Sequence, residues 1–113
     1  MIQHLIKNID FSKVIEMESL VDYQEGTVIS RTLSQGKASS VTLFAFDKGE
    51  EISSHSSNGD ALVYILDGES EITVGDEKFM VKKGETIVMP AGIPHALLAV
   101  EKFKMFLIVI FSQ

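Results

Sequence analysis

The stretch HSSNGDALVYILDG, His55 to Gly68, carries the clearest indication of architecture in the chain. Its apolar and aromatic run Ala61–Leu66 has strand length and ends on Asp67-Gly68, a pair that tolerates positive φ and predicts a tight hairpin. A further run, Glu69–Val74, follows at once and ends on Gly75-Asp76, which predicts another. The same rhythm continues outward in both directions. The runs Thr27–Ser34, Ser40–Phe46, Ile52–Ser56, Lys78–Val81, Glu85–Met89, His95–Val100 and Phe103–Phe111 are rich in β-branched and aromatic residues and are separated by Gly, Asp and Pro. Many short strands joined by tight turns predict an all-β, antiparallel barrel or jelly roll.

The two ends of the chain read less simply. Residues 1–23 form an N-terminal extension in which Val14, Met17 and Val21 have a weak helix-like spacing that a strand would also accommodate. The run FKMFLIVIF, Phe103 to Phe111, is apolar on both faces, with only Lys104 interrupting it. Nine residues are too few to cross a bilayer as a helix, so the second face predicts a cover. The expected cover is a partner subunit in a two-fold homodimer, sheet packed against sheet, and the alternative is a monomer with residues 1–23 folded over this face.

Composition narrows the classes of function. The chain of 113 residues is long enough for one domain, 1–113, with a real core, and its 45% hydrophobic and 23% charged residues are those of a folded chain. A net charge of −6 with ten dispersed basic residues argues against nucleic acid and against anionic membrane surfaces, both of which reward clustered Lys and Arg. The absence of cysteine excludes disulfides, thiolate nucleophiles and sulfur-rich metal centres. Lys7, Asn8 and Asp10 interrupt the start MIQHLIKNIDF before it reaches signal-peptide length, so a cytoplasmic protein is expected.

Candidate chemistry lies in two segments that hold two of the three histidines: KGEEISSHSSNGDALVYILDG (Lys48–Gly68) and KGETIVMPAGIPHALLA (Lys83–Ala99). Gly49 is followed by five residues and then His55; Gly84 is followed by five residues and then Pro90, Gly92 and His95. No Gly-x-Ser-x-Gly elbow and no phosphate-cradling glycine loop accompanies them, and Glu50-Glu51 reads as a solvated turn.

In these residues and intervals the chain resembles the cupin superfamily, over Gly49 to Ala99. The resemblance implies a small barrel whose first motif supplies two His and a Glu, and whose second supplies a His, to one divalent metal. Two of those four positions are kept here, His55 and His95; Ser57 stands where the second His would be, Ala61 in place of the Glu, and Ala99 in place of a final Asn. Asp60 adjoins the vacant Glu position, but neighbours on a strand point to opposite faces, so it would need a bulge to substitute. Two neutral imidazoles without a carboxylate leave a divalent charge unbalanced, so a Zn, Ni, Fe or Mn ion is expected to bind weakly at most.

The expected function is therefore binding of a small organic molecule inside the barrel. His55 and His95 would face a common cavity, with Ser57, Ala61, Val63, Ile65 and Leu97 in its wall. The resemblance also implies a rival, a metal-dependent enzyme of dioxygenase, isomerase or decarboxylase type working with a reduced two-histidine centre. A barrel filled by its own side chains would favour a third reading, an interaction or scaffolding part.

Overall fold

A computed structural model describes residues 3–113; Met1 and Ile2, the start of the extension expected over residues 1–23, lie outside the described residues. Eight strands follow one 3-10 turn at Met17–Leu20: β1 (Val28–Gln35), β2 (Ser39–Phe46), β3 (Glu51–His55), β4 (Gly59–Val74), β5 (Glu77–Lys82), β6 (Thr86–Met89), β7 (His95–Leu98) and β8 (Phe103–Phe111). Each pairing is antiparallel. The chain thus forms the expected all-β, antiparallel jelly roll, a curled sheet in the order β1-β2-β8-β4-β7-β3, with β5 and β6 also paired to β4.

β4 makes this curvature. Its first half pairs with β6 and β8, its second half with β5 and β7, so one continuous strand belongs to both faces of the barrel. The hairpin expected at Asp67-Gly68 is therefore replaced by a bulge inside a single strand, with a register shift between Ile65 and Asp67. Gly68 does take positive φ, +72°, but it bends the strand without reversing it. A Cβ at this position would overlap the carbonyl oxygen of Lys102 and stand 3.0 Å from Phe103 Cα, so the entry to the paired strand β8 approaches as closely as glycine permits. The other turn is as expected: Val74 pairs with Glu77 across Gly75-Asp76.

Alternation sorts the side chains. Along β4, Ala61, Val63 and Ile65 are buried while Asp60, Leu62 and Tyr64 are exposed. These inward residues join Ile72, Val81, Phe46 and Phe103 in the barrel core, where the last two rings stack at 4.4 Å between centroids. The two-faced strand β8 divides in the same way. Phe103 and Met105 are buried in the core, with Leu107 and Val109 packed against it, while Phe106 packs outside with Leu43, Ala45 and Val21.

The cover over the outer face is, in part, the N-terminal segment. Lys7 N donates to Leu33 O, and Asn8 Nδ2 donates to Thr32 O at 2.8 Å. Lys104 Nζ donates to Glu18 O at 2.8 Å. Tyr23 donates its hydroxyl to Asp67 Oδ2 at 2.6 Å under the ammonium groups of Lys102 and Lys104. Burial and that carboxylate push the Tyr23 hydroxyl above its ordinary pKa, so the phenol stays protonated and keeps donating. The weak helical spacing yields only the 3-10 turn Met17–Leu20: Val14 is fully exposed, whereas Val21 is buried with Ile9 and Leu20 packed beside it, so the segment is held by these polar ties together with that local apolar contact. Leu62, Tyr64, Val88 and Ile110 remain exposed on the outer surface of β4, β6 and β8.

Candidate functional site

The histidines come together through a bulge. On β7, His95 and Leu97 are two residues apart and share the inward face. On β3, the partners of these residues are His55 and Ile52, three apart, which a regular strand would turn to opposite faces. The register shift between Ile52 and His55 absorbs the extra residue and brings His55 back inside. The two rings stand edge to face with centroids 4.4 Å apart.

Both rings are oriented by backbone two residues upstream. His55 Nδ1 lies 3.0 Å from Ser53 O and His95 Nδ1 lies 3.3 Å from Ile93 O. A carbonyl oxygen only accepts, so in each ring Nδ1 carries the hydrogen and the neutral imidazole keeps its lone pair on Nε2. His95 is buried and His55 exposed. Burial pulls the His95 imidazole below its ordinary pKa, the neighbouring His55 adds to the effect, and the Ile93 carbonyl opposes it. His95 is accordingly neutral at physiological pH.

These rings line one side of a cavity of about 260 Å³ in the barrel mouth. Of the residues expected in the wall, His55, Ser57, Ala61, His95 and Leu97 are there. Val63 and Ile65 are not: they face inward on β4 as alternation demands, but they are wholly buried in the packed core, outside the lining. The rest of the wall comes from Phe44 on β2, Ile52 on β3 and Met89 on β6, together with Met105, Leu107, Val109 and Phe111 on β8. The sequence carried a signal for the β8 set, the two-residue period Met105, Leu107, Val109, Phe111, which its equally apolar even positions conceal.

Ser57 sits in the loop between β3 and β4, its hydroxyl donating to Gly59 O at 3.2 Å and accepting from Gly59 N at 3.3 Å. Its carbonyl accepts from Gly92 N at 2.8 Å, which ties this loop to the turn that leads to His95. Asp60 is no substitute ligand. It is exposed on the outer face, where Oδ1 accepts from Ala91 N at 2.8 Å.

The donor set does not fit a resident divalent ion. Among the described residues no three His, Cys, Asp or Glu side chains are grouped to hold one, and the wall facing the two imidazoles is apolar.

The sequence model of the cupin domain family matches residues 42–111. A conserved protein of unknown function from Streptococcus pyogenes superposes with a TM-score of 0.96 at 48% identity, covering 98% of this chain and 97% of that one. A cupin superfamily protein from Desulfitobacterium hafniense does so at 0.91 and 32% identity, over 95% and 98% of the two chains. An uncharacterized protein of Methanocaldococcus jannaschii is 47% identical over 36 residues, 32% of this chain. The chain spans only 29% and 53% of the lengths of the two curated relatives it matches.

Proposed function

Because the chain belongs to the cupin domain family, we propose that its barrel mouth binds a small organic molecule and that its histidine pair is a hydrogen-bonding head and not a metal centre. The observation that carries this reading is a 260 Å³ cavity with apolar walls that converge on two imidazoles. A core filled by its own side chains would leave no such space. Divalent Zn, Ni, Fe or Mn enters the proposal only as a weak guest, held by two nitrogens and completed by water or by the ligand. The proposal includes a cytoplasmic location and a two-fold homodimer formed through the exposed apolar side chains of the outer sheet, Leu62, Val88 and Ile110 among them.

The test is a fragment screen by ligand-detected NMR on the parent chain and on Ala61→Phe, whose ring would occupy the cavity. Fragments that bind the parent and are lost in the variant are the expected result. Hits indifferent to the substitution, with the fold confirmed by circular dichroism, would remove the pocket from the function. Metal analysis after dialysis against Zn, Ni, Fe and Mn is expected to show substoichiometric retention. One ion per chain would instead favour a metal-dependent enzyme.

A further inference from the structure

We infer that the cavity selects an uncharged, largely aromatic or alicyclic molecule of about ten heavy atoms carrying a hydroxyl or N–H donor for the histidine pair. This rests on the small-molecule reading above and specifies the chemical class of the ligand.

The polar atoms at the cavity define the head group. With Nδ1 of both rings donating to Ser53 O and Ile93 O, each Nε2 is an acceptor. Among the described residues no fully buried side-chain polar atom lacks a partner, so His95 Nε2, to which no protein group is bonded, opens to the cavity. The Ser57 hydrogen is already given to Gly59 O. The side chains therefore present acceptors and no uncommitted donor. A ligand hydroxyl or N–H satisfies such a set, whereas an ether or ketone in the same place would set lone pair against lone pair.

Charge sets the second limit. Among the described residues no Lys, Arg, Asp or Glu lines the cavity. A carboxylate would enter without a cation and an ammonium without an anion, each losing its hydration with little in return. Volume sets the third. An apolar cavity of about 150 Å³ admits benzene, so 260 Å³ corresponds to roughly ten heavy atoms, a fused bicyclic ring being of that size. Phe44, Met89 and Met105 offer ring and thioether surfaces suited to an aromatic body.

Three probes of one shape separate these factors: 1-naphthol, 1-methoxynaphthalene and 1-naphthoate, measured by calorimetry at about pH 8, above the ordinary imidazole range. The phenol is expected to bind about 2- to 12-fold more tightly than its methyl ether, the span of one net neutral hydrogen bond, and the carboxylate to show no measurable binding. In His55→Leu/His95→Leu the advantage of the phenol should vanish while the ether keeps its affinity. His55→Leu alone, at an exposed ring, should reduce that advantage and keeps the test readable if replacing buried His95 prevents folding. Equal binding of phenol and ether to the parent chain, carboxylate binding that matches the phenol, or an advantage that survives in the variants would each overturn the inference. Failure of all three probes, or binding that Ala61→Phe leaves intact, would instead sink the small-molecule reading and this inference with it.

Discussion

Gly68→Ala is expected to be far more damaging than an alanine at another left-handed glycine, because two costs coincide there. Gly68 lies at φ +72°, a conformation that costs an L-residue about 1–2 kcal/mol. The added Cβ would also overlap the Lys102 carbonyl oxygen, with the Lys102 carbonyl carbon and Phe103 Cα at 3.0 Å. Each of these atoms is backbone, so relief requires moving β8 away from the bulge in β4, an overpacking cost of about 1–3 kcal/mol. The sum is about 2–5 kcal/mol, or a fall in Tm of roughly 8–20 °C at about 4 °C per kcal/mol for a chain of this length. Gly84 provides the control. At φ +85°, with open space within 4 Å of where its Cβ would stand, its alanine variant should lose only the backbone part, about 1–2 kcal/mol. Urea titrations of both variants, with m-values compared to confirm an unchanged unfolding reaction, measure the difference. Losses that agree within about 0.5 kcal/mol would refute the claim that the approach of Lys102 is what requires glycine at the bulge.

Three further outcomes are expected. Ser57→His combined with Ala61→Glu should raise divalent-metal affinity by about two orders of magnitude or more, since both positions share the cavity wall with His55 and His95; competition against a chelating dye showing no gain would mean that the positions do not converge. Because the folded pKa of His95 lies below 6.5, the unfolded chain takes up the proton first as pH falls, so stability should be unaffected above that value and decline on acidification below it. Urea midpoints between about pH 8 and pH 5 should show that slope and His95→Leu should flatten it, whereas a stability that rises on acidification would contradict the assignment. Light scattering at micromolar concentration should give twice the 12.5 kDa of one chain, and a mass near 12.5 kDa would exclude the homodimer.

The features legible in the order of residues are local: which runs are strands, that Gly75-Asp76 turns the chain back, and that the intervals around His55 and His95 are those of a two-motif barrel. The first two follow from short-range sterics and alternation, which travel with the residues, and the third from the resemblance of those intervals to the cupin motifs. Three other features depend on how distant segments pack. Positive φ at Gly68 serves a hairpin or a bulge equally well, and the choice lay with the strands β5, β6, β7 and β8, which pair with β4 on both sides of it. Alternation told which side of β4 Val63 and Ile65 face but not how deep they lie, and depth is set by Phe46, Phe103 and the other side chains that fill the barrel around them. The motif intervals placed His55 beside His95, but the three-residue step from Ile52 to His55 faces one side only because pairing with Leu97 and His95, two residues apart, is accommodated by a bulge. In each case the deciding contact comes from a segment distant in sequence, so no local pattern could carry it.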